Sequence, residues 1–80
     1  MMVTVKYFGL VADSTQKKEE QLFFENEFVT LYQLQSKLEN QYPEIKNTTY
    51  SFAINQTLSL SNIELKNNDE IALLPPFAGG

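Results

Sequence analysis

Near the start of the chain, Val3, Val5 and Tyr7 alternate with Thr4 and Lys6, the period of two that a strand shows when it buries one face. Phe8 falls on the opposite, polar side of that alternation. From Gly9 to Gln16 no period is visible, and a loop is expected there. A second strand is predicted from Glu20 to Glu25, with Leu22 and Phe24 on one face, so that Met1 to Glu25 would form a hairpin. The period then changes. Leu31, Leu34 and Leu38, with Tyr42 one turn on, form an apolar stripe at helical spacing, while Gln35, Lys37, Glu39 and Asn40 are expected to face water. Thr30 before the stripe and Gln33 three residues on have the form of a capping box, Val29 can staple against Leu34, and Pro43 stops the helix soon after Tyr42.

The second half returns to strands. Phe52 and Ile54 mark a third, Asn55-Gln56 a tight turn, and Thr57 to Leu60 a short fourth. Ile63 and Leu65 are expected to plug the core. Asn67-Asn68 suits a turn because Asn tolerates left-handed backbone, and Glu70 to Leu74 alternates again with Ile71 and Leu73 inward. Pro75-Pro76 ends that last strand. The order strand, strand, helix, strand, strand, strand predicts an α+β fold in which a mixed sheet is covered on one face by one main helix. This is the β-grasp, or ubiquitin-like, order, with residues 1–75 as the domain and 76–80 as a flexible, extended C-terminal tail.

Eighty residues suffice for one modest core and leave no room for a second domain. Six Lys and Arg against ten Asp and Glu give a net charge of -4, which argues against nucleic acid as a ligand and for a basic protein partner. Asp69 and Glu70 are candidates for steering such a partner. The sequence contains neither cysteine nor histidine, so thiol nucleophiles, imidazole acid–base chemistry and the usual metal sites are unavailable, and no cofactor or metal is expected to bind. No leader pattern and no run of about 18 apolar residues is present, so a cytoplasmic protein that does not enter a membrane is expected.

After Leu74 the chain reads Pro75, Pro76, Phe77, Ala78, Gly79, Gly80, with no ionisable side chain. The candidate reactive group is therefore the carboxylate of Gly80. Two prolines favour an extended conformation that holds the tail off the sheet, and two glycines make a tip slim enough for a narrow channel. Adenylation by ATP would convert that carboxylate into a mixed anhydride open to a sulfur nucleophile, giving a thiocarboxylate. A Gly-Gly end by itself is more often an ordinary frayed terminus; the two readings balance only when the β-grasp pattern ending just before it and the lack of another reactive group are added. Phe8 and Leu74 stand out of phase with the core positions of their strands, which predicts an apolar patch near Leu58 and hence a partner surface, unless these side chains pack under loops.

Two stretches, Ala53 to Leu58 and Asn68 to Pro76, followed by Ala78-Gly79-Gly80, resemble the small subunit of molybdopterin synthase, the MoaD-like family; Asn55-Gln56 with Pro75-Pro76-x-x-Gly79-Gly80 is the specific part. Val5 to Phe8 is similar to that family's first strand, and Gly9 to Lys46 matches in pattern only. The chain differs from the usual family residues at Asn68, Leu73, Leu74 and Phe77. The resemblance implies that an adenylyltransferase of the ubiquitin-activating type uses ATP to adenylate Gly80. A sulfurtransferase then supplies sulfur, and Pro75 to Gly79 lead the thiocarboxylate into the large subunit. There it donates sulfur to cyclic pyranopterin monophosphate to build molybdopterin. It further implies a heterotetramer of two small and two large subunits, the large subunit supplying acid–base groups. Carriers for thiamine or tRNA thiolation and ubiquitin-like protein modifiers share the fold and the ending.

Overall fold

The computed structural model describes residues Met1 to Pro76. Strand β1 (Met2–Tyr7) is an interior strand, next to the β2 edge, of a five-stranded sheet of order β2-β1-β7-β4-β5. It pairs antiparallel with β2 (Glu19–Phe23) and parallel with β7 (Glu70–Leu74). On the far side β4 (Ser51–Ile54) runs antiparallel to β7, and β5 (Thr57–Ser59) closes that edge. This mixed sheet, packed on the principal helix α2 (Leu31–Gln41), is a β-grasp fold.

Alternation makes the sheet two-faced. Val3, Val5, Tyr7, Leu22, Ile71 and Leu73 point inward and are buried, where they meet Leu31, Leu34 and Leu38 of α2. The start of α2 is fully bonded, which is why the helix begins where it does. The Gln33 amide donates to Thr30 Oγ1 at 3.3 Å and the Thr30 amide to Gln33 Oε1 at 2.8 Å. The Leu31 amide reaches the Ile63 carbonyl at 2.8 Å and the Tyr32 amide reaches Asn62 Oδ1 at 2.9 Å. After Gln41 the chain passes through a 3-10 turn, Pro43–Asn47, that buries Ile45.

Four local expectations change. Gly9 to Gln16 is no loop: Gly9–Thr15 form a short helix, α1, that buries Val11 and Thr15 and ends at Gln16 in left-handed backbone. Two inward positions in seven residues are too few to display a helical period, so the pattern hid it. Consequently β1 and β2 pair as expected but are joined through a helix. Secondly, Val29–Thr30 (β3) and Glu64–Leu65 (β6) form a separate two-stranded sheet, which places Leu65 in the core as a strand residue with Ile63 half-buried beside it. Thirdly, Gln35 and Glu39 do not simply face water: Gln35 Nε2 donates to Tyr50 Oη at 3.0 Å, and Tyr50 Oη donates to Glu39 Oε2 at 2.9 Å. Fourthly, the fourth strand stops at Ser59 and leaves Leu60 outside it.

Candidate functional site

The outer face of the sheet is built by the residues that the core does not use. On β1 these are Thr4 and Lys6, followed by Phe8; on β7, Ala72 and Leu74; on β4, Ala53; on β5, Leu58. Register brings them together: Ala72 stands opposite Lys6 on one side and Ala53 on the other, and Ala53 stands opposite Leu58. Phe8 closes the row, because its amide donates to the Leu73 carbonyl at 3.2 Å and so extends the β1–β7 ladder by one residue. Phe8 is 44% exposed and Leu58 40%, while Leu74 is half-buried. A shallow depression lined by Phe8, Ala53, Ala72 and Leu74 lies between these side chains. The three residues expected to form an apolar patch thus share one face.

Reading the sequence alone missed Ala53 and Ala72, whose small side chains make the floor of that depression. Their signal was available: each sits in phase with an outward position and is apolar, which an outward position on a solvated sheet does not require. It also missed the polar rim. Lys6 Nζ lies 3.1 Å from Glu70 Oε1, and the pairing raises the Lys6 ammonium above its ordinary value through the hydrogen bond and the charge of Glu70. Glu70 is therefore not a free steering charge. Asp69 is held in place by neutral donors, its two carboxylate oxygens accepting from Asn55 Nδ2 at 3.0 Å and from the Lys66 amide at 2.8 Å.

Asn55 explains the turn that carries β5 to this face. Asn55 and Gln56 both have positive φ, 49° and 71°, as a two-residue hairpin of the primed type demands. The Asn55 amide donates to the Glu70 carbonyl at 2.8 Å, and its side-chain Oδ1 accepts from the Glu70 amide at 2.9 Å. The turn is thereby fastened to the first residue of β7, and Leu58 is carried into register with Ala53.

The exit of the tail is set by Gly9. Its φ of +61° is left-handed backbone, and a Cβ built there would come 2.8 Å from Pro75 Cγ, so the proline ring lies against the glycine where a side chain would stand. Pro75 is exposed, and its ring lies against the backbone of Gly9. Pro75 and Pro76 follow directly from Leu74, so the tail leaves from the edge of the apolar face. The expected roles of Phe77, Ala78 and Gly79 in insertion and of Gly80 in chemistry fall on positions outside the described residues.

A polar cluster ties β1 and β2 to the residues that follow α1 and α2. Tyr7 Oη and Tyr42 Oη donate to the same oxygen, Glu20 Oε2, at 2.5 and 2.6 Å, and Lys17 Nζ donates to Tyr42 Oη at 3.0 Å and to Glu20 Oε1 at 3.4 Å. Burial pushes the Glu20 carboxyl up, but the hydrogen bonds from Tyr42, Tyr7 and Lys17 outweigh it and leave the group below the usual carboxylate value. Tyr7 is pushed well above the ordinary phenol value by burial first and by its bond to Glu20 second. Among the described residues no group of three or more potential metal ligands comes together, and no helix is long and apolar enough to cross a membrane.

Among solved structures, the chain is similar to a putative molybdopterin converting factor subunit 1 from Pyrococcus furiosus, with 20% identity over 95% of this chain and 98% of that one and a TM-score of 0.85. It is also similar to a chain of the complex of subunits 1 and 2 of the molybdopterin-converting factor from Helicobacter pylori 26695, 28% identical over the whole of both chains with a TM-score of 0.71. A third is the small archaeal modifier protein 1 from Methanosarcina acetivorans, 25% identical over 99% of this chain and 96% of that one, TM-score 0.75. The model of the ThiS family matches residues 5–80, and the chain accordingly belongs to the ThiS family of ubiquitin-like sulfur carriers.

Proposed function

We propose that this protein is the sulfur-donating small subunit of a molybdopterin synthase, with the carboxylate of Gly80 as the group that carries sulfur. The observation that bears most weight is the continuity of the apolar outer face with the exit at Pro75, within a chain that belongs to a sulfur-carrier family. Phe8, Leu74 and Leu58 would seat the domain on a large subunit, and residues 75–79 would lead Gly80 into that subunit's active site. Support for this kind of partner comes from the Helicobacter pylori relative, which was solved as a complex of subunits 1 and 2.

The chemistry divides between proteins. An adenylyltransferase transfers AMP from ATP to Gly80 and releases pyrophosphate; a sulfur nucleophile delivered by a sulfurtransferase displaces AMP and leaves the thiocarboxylate. The chain itself binds neither ATP nor any other cofactor in this scheme. On the large subunit, whose side chains supply the acid and base, the sulfur attacks a carbon of cyclic pyranopterin monophosphate and displaces an oxygen substituent, which leaves with a proton, so that a thioester joins Gly80 to the pterin. Water then frees the carboxylate for another round of loading. Two sulfurs, hence two loadings, complete one dithiolene, and a 2:2 heterotetramer places two carriers around a large-subunit pair.

The test is to mix thiocarboxylated protein with a large subunit and the pterin precursor and to assay the dithiolene product. Product formed in proportion to thiocarboxylate consumed is expected; consumption without product contradicts the reading. A second reading, a ubiquitin-like modifier that joins Gly80 to lysines, draws on the likeness to the small archaeal modifier protein 1. It requires conjugates of higher mass in immunoblots of cell extract, which the sulfur-donor reading does not.

A further inference from the structure

The sheet has two edges, and they are finished differently. Edge strand β2 reads Glu19-Glu20-Gln21-Leu22-Phe23, and its charges discourage another strand from adding to it. Edge strand β5 and the residues after it read Thr57-Leu58-Ser59-Leu60-Ser61, with no charge and no proline. In a two-residue hairpin the flanking pair, here Ile54 and Thr57, exchanges both main-chain hydrogen bonds, so the next pair, Ala53 and Leu58, does not. Leu58 therefore turns its N–H and C=O outward, away from β4, along the open edge.

What lies on either side of that edge matches a strand. On the outer side is the Leu58 side chain, part of the apolar face already described. On the core side is an open groove between α2 and β4–β5, in which Tyr32, Tyr50 and Leu60 supply apolar surface above the buried Leu31 and Phe52. Tyr32 is 54% exposed and Leu60 90%, the highest value among the exposed large apolar side chains. The remaining lining residues are Gln35, Ser51, Ser59 and Ser61, so nothing in the groove carries a formal charge. Burial holds the Tyr50 hydroxyl up at about 12, in its neutral form at physiological pH.

We propose that β5 accepts an extended, uncharged segment of the partner as a sixth strand. Its main chain would pair with Leu58, and its apolar side chains would alternate between the Tyr32–Leu60 groove and the outer face. The inference rests on the reading of the outer face as the docking surface, because it is the partner seated on Leu58 whose chain continues over the edge. A second copy of this protein is the weaker occupant. Three strand residues are too short a pairing to hold two copies together, each copy carries a net charge of -4, and pairing would cover the Leu58 needed for docking.

The test is amide hydrogen exchange, read by NMR on the labelled full chain with and without an unlabelled large subunit of molybdopterin synthase. Binding is measured in parallel for Leu58→Ala, Leu58→Pro and Phe8→Asp. The expected result is slower exchange of the Leu58 amide in the complex, and affinity for Leu58→Pro at least about tenfold below that of Leu58→Ala, since the two lose the same contact but only proline removes the outward donor. The native amide spectrum of Leu58→Pro checks its fold, and the exchange measurement needs no variant at all. If Phe8→Asp abolishes binding while the Leu58 amide exchanges as in the free protein, the added strand is refuted and docking on the outer face stands. If wild type does not bind the large subunit, both fall together.

Discussion

Strands β1 and β7 present opposite surfaces to the two sides of the sheet, and the contrast separates what folds the protein from what it uses. On the inner side Val3, Val5, Tyr7, Ile71 and Leu73 are sealed against α2. On the outer side, one residue along in each case, Lys6, Phe8, Ala72 and Leu74 meet solvent around a shallow depression. The inner residues are apolar because folding removes them from water; Phe8, Ala72 and Leu74 are apolar although folding leaves them in contact with it. Substitutions on the inner side should therefore act on stability, and those on the outer side on association.

The largest effect is expected in the core. Leu34→Ala or Ile71→Ala empties a fully buried site and should destabilise by about 2–5 kcal/mol in urea unfolding, enough to unfold much of so small a domain. Next is Glu20→Gln, which weakens the acceptor shared by Tyr7 and Tyr42 and should cost about 1–3 kcal/mol at neutral pH. This variant also tests the charge. Because the folded-state value of Glu20 lies below its unfolded one, its contribution is complete above the ordinary carboxylate range and disappears as pH falls through the folded value. Urea midpoints of wild type should drop on that descent more steeply than those of Glu20→Gln; parallel curves would contradict the assignment.

Thr30→Ala, which removes half of the capping box, should cost about 1 kcal/mol in the same measurement. Phe8→Asp comes last on the stability scale, with a change within about 0.5 kcal/mol, yet it should weaken binding to a large subunit by at least about tenfold. A Phe8→Asp protein that unfolds as readily as Leu34→Ala would erase the distinction between the faces.

The same contrast explains what the sequence disclosed. The inner face was legible because Val3-Val5-Tyr7 and Ile71-Leu73 keep strict periods, and the Thr30–Gln33 box marks the helix start with side chains that can accept from the free amides of the first turn. The outer patch was legible through Phe8, Leu58 and Leu74, which break the polar phase. Helix α1 was not, since only Val11 and Thr15 report on it, and the β3–β6 pair was not, since two-residue strands have no period. Nor could the sequence reveal that Asp69 and Glu70 are committed to Asn55, Lys66 and Lys6, because those partners meet only after β4, β5 and β7 assemble. Gly9 is similar: its need for an absent side chain arises from Pro75, sixty-six positions later in the chain.

The central claim is that the folded body is a handle and Gly80 the working group. Intact-mass spectrometry of the chain after incubation with ATP, an adenylyltransferase of the ubiquitin-activating type and a sulfur donor tests it most directly. A species about 16 Da heavier, from sulfur replacing one carboxylate oxygen, is predicted for wild type and not for a variant extended by one residue beyond Gly80. An unchanged wild-type mass, or the same gain in the extended variant, would contradict it.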